Sequence, residues 1–127
     1  MRISDLFRGG CSSRDKHAAD DVKSLKEIAK NDPDYRVRLE AVGEIHDNDF
    51  LNEIVLNDSN RKVKIAAVNN ITNQYYLRRI ARKHSSCHVR IAAIRKLNDI
   101  KELQEIAEND SNRTVKKIAL KKIKEIM

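Results

Sequence analysis

The chain has 127 residues, enough for about one domain, and 4% of them are aromatic, 40% hydrophobic and 35% charged. Three glycines and one proline are too few for the tight turns of a sandwich or barrel, which excludes an all-β fold. No stretch approaches the roughly 20 apolar residues of a membrane-spanning helix. Cys11 and Cys87 cannot form the framework of a disulfide-stapled secreted domain. We expect a soluble protein of the cytoplasm that binds no membrane.

Residues 1–24 precede the repeated part of the chain. Their start, MRISDLFRGG, is too short and too often interrupted by charge for a signal-peptide core. Ile3, Leu6 and Phe7 have helical spacing, which is compatible with a small lid, a docking peptide or an unstructured tail. A longer helix is predicted from about residue 14 to Lys30 as an N-terminal cap.

The rest of the chain is an internal repeat with a period of 26 residues. Four positions hold the same residue in every copy: Leu25, Leu51, Leu77 and Leu103; Ile28, Ile54, Ile80 and Ile106; Val37, Val63, Val89 and Val115; Ala41, Ala67, Ala93 and Ala119. The predicted repeats are residues 25–50, 51–76, 77–102 and 103–127, which together form a single domain.

Within each copy the apolar spacing is helical. In the second copy, Leu51, Ile54 and Val55 form the stripe of a short first helix. A polar Asn-Asp-Ser-Asn break follows, and an apolar arc from Val63 to Ile71 indicates a second helix. Helices of about ten residues are marginal alone in water, so neighbouring hairpins must share one core. The prediction is an all-α solenoid of four helical hairpins with an N-terminal helical extension.

A charged position interrupts the apolar arc of each second helix. One residue after each repeated valine stands a cation, and six residues before it the preceding loop holds an aspartate or, in the third copy, His84. A lone cation in an apolar arc is costly to bury. Each loop aspartate is therefore predicted to accept from the Arg or Lys of its own or the adjacent repeat, and to cap the helix start. This structural ladder comprises Asp32, Arg38, Asp58, Lys64, Arg90, Asp110 and Lys116.

The segment from Asn31 to Ile45, NDPDYRVRLEAVGEI, resembles the second half of a HEAT-like repeat of the type named after the phycobilisome lyases. Its Asp-Pro, Val-Arg, Ala-Val and Gly-x-Ile elements match, and the resemblance covers residues 25–127. It implies a right-handed superhelix of the armadillo type, with the second helices on a concave face and the first helices on a convex one. The 26-residue period is shorter than is usual in the family. Because most members bind other proteins and some are chromophore lyases, the resemblance assigns no chemistry.

The net charge of +7 is uneven along the chain. Residues 1–24 carry +1, and the four repeats carry −3, +1, +6 and +2 in order. The basic third and fourth repeats can attract an acidic protein or a nucleic acid, or their cations can simply solvate exposed helix faces. The predicted partner-binding positions on the second helices are Arg36, Lys62, Asn69, Asn70, Asn73, His88, Arg95, Lys96, Lys121 and Lys122.

Catalytic motifs are missing from the sequence, which has no Gly-rich phosphate loop, nucleophile elbow or carboxylate pair in an apolar setting. One cluster, His84, Cys87 and His88, has the i, i+3, i+4 spacing that could place three metal-binding groups on one helix face. The equivalent positions of the other repeats hold mainly Asp, Arg and Lys. An ordinary polar loop is therefore preferred to a metal site, and no cofactor is predicted.

The sequence favours a non-enzymatic, monomeric scaffold that holds a protein or peptide on its concave face. The alternative is a nucleic-acid-binding module that uses the basic third and fourth repeats, and its binding would weaken steeply as salt rises. A minor alternative, an accessory lyase or isomerase for a bilin-bearing protein, depends on the family resemblance alone.

Overall fold

The structure is a computed structural model that describes residues 18–127, with side chains from residue 24 onward. These residues form eight helices and no strands: α1 (Ala18–Asn31), α2 (Tyr35–Gly43), α3 (Asn48–Asn57), α4 (Arg61–Asn70), α5 (Gln74–Lys83), α6 (Cys87–Ile94), α7 (Ile100–Asn109) and α8 (Arg113–Ile126). The all-helical prediction is confirmed for this part of the chain. None of the described helices is long and apolar enough to cross a bilayer.

The structure covers only part of the N-terminal segment for which helices were predicted. Helix α1, described from Ala18 and ending at Asn31, corresponds to the helix predicted from about residue 14 to Lys30. Ile3, Leu6, Phe7 and Cys11 lie outside the described residues.

Polar side chains at the loop ends set where the helices begin. Each of six caps accepts a backbone N–H from the residue two positions later: Asp34, Asp47, Asn60, Asn73, Asp99 and Asn112. These bonds satisfy N–H groups that the first helical turn leaves without partners. Ser86, before α6, makes no such side-chain bond. Because of the caps, α3, α5 and α7 begin three residues before the predicted repeat boundaries at residues 51, 77 and 103.

The structure differs from the prediction that the loop aspartates cap the second helices. The Asp58 and Asp110 carboxylates accept the backbone N–H groups of Asn60 and Asn112, each at 2.8 Å, and the asparagines are the caps. Asp32 accepts the N–H of Asp34 in the same way, at 2.9 Å. An aspartate that binds the N–H two residues ahead closes a tight turn, which moves the cap to the end of that turn.

The helices pack in pairs: α1 with α2, α3 with α4, α5 with α6, and α7 with α8. The second helices, α2, α4, α6 and α8, form one row in which each packs closely on the next. In the first-helix row, α1, α3, α5 and α7, the described neighbours approach less closely, and α5 and α7 are the nearest. The repeated alanine of every second helix is fully buried, and such a small side chain permits a short distance between helix axes.

One apolar core extends through all four helix pairs. Leu51, Leu77 and Leu103 are fully buried in it, whereas Leu25 at its N-terminal end is only partly buried. At the other end Leu120 is 51% exposed, although its counterpart Ile94 is fully buried. The difference arises because no further helix pair packs on α8 in the described chain. The core therefore depends on contacts between pairs as well as on contacts within them.

Candidate functional site

Two buried Arg–Asp pairs join successive helix pairs. Arg38 Nε and Nη2 donate to the carboxylate oxygens of Asp58 at 3.0 and 3.3 Å, and Arg90 makes the same bonds to Asp110 at 3.0 and 3.2 Å. The exposed fractions of the four side chains lie between 4% and 11%. Each Nη1 also donates to a backbone carbonyl, that of Asp32 at 2.7 Å or His84 at 2.8 Å. Because every guanidinium nitrogen makes a hydrogen bond and the side chains are buried, these pairs hold the fold together and are not open to a ligand.

The lysines of the predicted ladder take no part in it. Among the described residues Lys64 and Lys116 form no ion pair, and the Asp32 carboxylate accepts only a backbone N–H. Arg38 pairs with Asp58, which lies 20 residues later in the chain. The residue 20 positions after Lys64 is His84, so Lys64 has no aspartate at the equivalent place. Lysine also lacks the planar fork that makes the arginine pairs bidentate. The ladder therefore consists of two separate pairs.

His84 replaces the loop aspartate as a neutral imidazole. Its Nδ1 accepts the Ser86 N–H at 3.0 Å, and its Nε2 lies 3.2 Å from the Val55 carbonyl oxygen, to which the Nε2–H donates. Nδ1 can accept only when it is unprotonated. Burial lowers the pKa of His84 below its ordinary value of 6.5; the Val55 carbonyl opposes this shift, and the charges of Lys64 and Arg90 add to it.

Acid is expected to destabilise the protein through His84. Because the pKa of His84 is lower in the folded chain, its stabilising contribution is complete above the unfolded-state value and is lost as pH falls from 6.5 through the folded-state pKa. We expect the free energy of unfolding in urea to fall as pH is lowered from about 7 through the folded-state pKa of His84, and to fall less in His84→Asp. That carboxylate can accept the same N–H and pair with Lys64.

The control for this experiment is His88→Asn, which removes an exposed histidine from α6. It should keep the parent's dependence of stability on pH. Equal sensitivity to acid in the parent and in His84→Asp would contradict the role assigned to His84.

The alternative metal site at His84, Cys87 and His88 is not formed in the described part of the chain. Both ring nitrogens of His84 lie within hydrogen-bonding distance of backbone atoms, and His88 is exposed. Cys87 is half-buried at the start of α6. Nowhere in residues 24–127 do three or more His, Cys, Asp or Glu side chains come together to hold an ion.

A basic cleft opens between α6 and α8 in the second-helix row. Its volume is about 320 Å³, and it is lined by Arg95, Ile118, Lys121, Lys122 and Glu125. Arg95 and Lys121, which are exposed, occupy the same position in successive repeats. No ion pair among the described side chains involves these three cations. The cleft therefore offers three available positive charges beside one carboxylate and a half-buried isoleucine.

Three of the predicted partner-binding residues have structural roles instead. Asn73 caps α5 by accepting the Tyr75 N–H at 2.8 Å. Asn70 Nδ2 donates to three carbonyl oxygens at the end of α2, at 3.0 to 3.2 Å, and Lys96 Nζ donates to the Asn69 carbonyl at 2.5 Å. Asn70 and Lys96 are one repeat apart, and each donates to backbone carbonyls at the C-terminal end of the preceding second helix. Partial burial lowers the pKa of Lys96.

The remaining predicted positions, Arg36, Lys62, Asn69 and His88, are exposed on the second helices. With the cleft residues Arg95, Lys121 and Lys122, seven of the ten predicted positions are therefore accessible to a partner. The structure brings only the last three around one cavity.

The structure has a groove on the first-helix row that was not predicted from the sequence. It lies between α3 and α5, has a volume of about 230 Å³, and is lined by Asn52, Leu56, Tyr76, Arg79, Ile80, Lys83 and His84. The signal in the sequence is Leu56, whose counterparts in the other repeats, Lys30, Arg82 and Glu108, are all charged.

No protein-family model matches the chain, and no curated protein or solved structure is significantly similar to it. The HEAT-like resemblance therefore stays a prediction, and the candidate sites depend on the geometry described above.

Proposed function

We propose that the protein is a non-catalytic HEAT-like scaffold that binds an acidic segment of a partner protein along the second-helix row. The observation that carries this proposal is the cleft between α6 and α8, where Arg95, Lys121 and Lys122 surround Ile118. An excess of positive charge attracts an acidic ligand, and an apolar wall excludes water from the ion pairs that the ligand makes.

The different spacing of the two helix rows supports a curved stack. The second helices pack closely along their row, and the first helices approach one another less closely. A stack of repeats bends toward the layer with the shorter spacing, so the second-helix row is the concave side of the proposed solenoid. A concave row of exposed side chains can contact an extended peptide at several repeats at once.

The charge distribution gives the partner a direction along this face. The first repeat carries −3, whereas the third and fourth carry +6 and +2. The acidic residues of the partner are therefore expected at the α6 and α8 end, with neutral or basic residues near Glu40 and Glu44.

A non-catalytic role is supported by the use of the buried polar groups. Asp58 and Asp110 are bonded to arginines, and both His84 nitrogens lie against backbone groups. Carboxylates and imidazoles engaged in this way are poorly placed to exchange protons with a substrate.

Removing the charges of the cleft is expected to weaken binding of an acidic peptide. In Arg95→Gln/Lys121→Gln/Lys122→Gln, we expect the Kd of a labelled glutamate-rich peptide to rise about tenfold at low salt. The dependence of Kd on salt should also flatten, because fewer ion pairs remain to be screened. Fluorescence anisotropy measures both.

The matched control removes the same number of exposed cations elsewhere, in Arg61→Gln/Lys101→Gln/Arg113→Gln. Equal effects of the two triple variants would refute a specific cleft and indicate general charge attraction. A single-stranded DNA probe in the same assay tests the nucleic-acid alternative, which is favoured if DNA and not the peptide discriminates between the two variants.

A further inference from the structure

The groove between α3 and α5 lies in the first-helix row, whereas the basic cleft lies in the second. Leu56 on α3 is 59% exposed and borders this groove, although its neighbour Val55 is fully buried. Ile80 on α5 also lines the groove, but it is only 3% exposed, so Leu56 is the accessible aliphatic side chain there. A large exposed leucine beside a cavity of about 230 Å³ is a surface that a second apolar group can cover.

The equivalent interface between α5 and α7 is closed by ion pairs. Arg82 lies 3.2 Å from a Glu102 oxygen and 3.1 Å from a Glu105 oxygen. One repeat earlier, these three positions hold Leu56, Tyr76 and Arg79. Leu56 thus stands at the position of the bridging cation Arg82, and Arg79 stands at the position of the carboxylate of Glu105. No ion pair can therefore close the interface between α3 and α5 at this place.

The cations beside the groove have no acidic partner among the described side chains. Arg79 lies over the Tyr75 ring, 5.8 Å from its centre, and donates to the Tyr75 hydroxyl at 3.0 Å. Lys83 is exposed at the end of α5. The two helices are joined instead at their other ends, where the Tyr76 hydroxyl donates to Asp49. The groove thus combines apolar surface with two positive charges.

We propose that this groove, the α3–α5 groove, binds a peptide segment that carries a large apolar side chain beside a carboxylate. The apolar side chain covers Leu56, and the carboxylate pairs with Arg79 or Lys83. Arg79 and Lys83 are one turn apart on α5 and line the groove together with Leu56 of α3, so a ligand that covers Leu56 lies close to both cations. The ligand that fits is therefore an amphipathic helix with an acidic and an apolar residue one turn apart on the face that meets the groove.

The test is an anisotropy titration of the full chain with a short labelled helical peptide that has leucine and glutamate on one face. Leu56→Glu is expected to weaken binding about tenfold, because the new carboxylate replaces the apolar surface and competes for the two cations. Since Leu56 is largely exposed, the variant should fold, which circular dichroism and thermal unfolding check. The matched control, Leu120→Glu, removes another exposed leucine; in the Arg95→Gln/Lys121→Gln/Lys122→Gln background, where the neighbouring cleft charges are absent, it should leave binding unchanged.

Two further comparisons separate the contribution of the Lys83 charge from that of the ligand's apolar side chain. Lys83→Gln should weaken binding a few-fold and flatten its salt dependence, whereas Lys117→Gln, an exposed lysine of α8, should do neither. A second peptide with serine in place of leucine should bind more weakly than the first. Equal binding of the two peptides, or equal effects of Leu56→Glu and Leu120→Glu, would overturn the proposal.

The same titrations are repeated in the Arg95→Gln/Lys121→Gln/Lys122→Gln background. If the α3–α5 groove binds the peptide, the effect of Leu56→Glu persists there. If the triple variant of the cleft abolishes binding and Leu56→Glu has no effect, the proposed function stands and this inference is refuted.

Discussion

Replacing Asp110 by alanine is expected to lower the free energy of unfolding by about 3 to 5 kcal/mol. The variant leaves the Arg90 guanidinium buried without the carboxylate that now accepts two of its hydrogen bonds. Nη1 would keep its bonds to the His84 and Ser85 carbonyls, but neutral carbonyls cannot compensate a buried charge. Urea denaturation followed by circular dichroism measures the loss.

Two controls separate burial of the charge from loss of an ion pair in general. Glu105→Ala removes a half-exposed partner of Arg82 and should cost less than about 1 kcal/mol. Arg90→Met/Asp110→Leu removes both charges together and should be much closer to the parent than Asp110→Ala alone. If Asp110→Ala and Glu105→Ala cost the same, the buried pair does not have the structural role assigned to it.

Leu77→Ala is expected to cost about 2 to 5 kcal/mol, because it removes a fully buried side chain from the middle of the core. Leu25→Ala, at the same repeat position but only partly buried, should cost clearly less. Since the four helix pairs share one core, both variants should unfold in a single transition. Separate transitions in Leu77→Ala, or equal losses in the two variants, would show that the pairs are stable independently of one another.

The interface between the second and third helix pairs differs from its neighbours in both rows. Buried Arg–Asp pairs join the first pair to the second and the third to the fourth, whereas Lys64 and His84 occupy the equivalent positions in between. In the first-helix row Lys26 and Arg82 bridge the outer two interfaces, and the middle one is the α3–α5 groove. Among the described side chains no charged pair joins this middle interface, to which both the acid sensitivity expected at His84 and the ligand site proposed in the groove belong.

Sequence pattern alone determined the helices and most of the core. Apolar spacing and polar loop residues act within a few positions of one another, so a 26-residue repeat of Leu, Ile, Val and Ala is enough to place two helices in each copy. The same pattern placed Arg38 and Arg90 in an apolar arc and indicated that each needs a carboxylate nearby.

The tertiary structure decided which groups meet. Arg38 pairs with an aspartate 20 residues away because the next hairpin packs beside it, a distance that no local pattern contains. Asn70 and Lys96 look like free polar residues in the sequence, yet the packing of one repeat on another places helix-ending carbonyls against them. The α3–α5 groove likewise exists only because two helices far apart in the chain lie side by side without a bridging ion pair. Local sequence sets helix propensity and caps, whereas partners across repeats depend on how closely neighbouring helices pack.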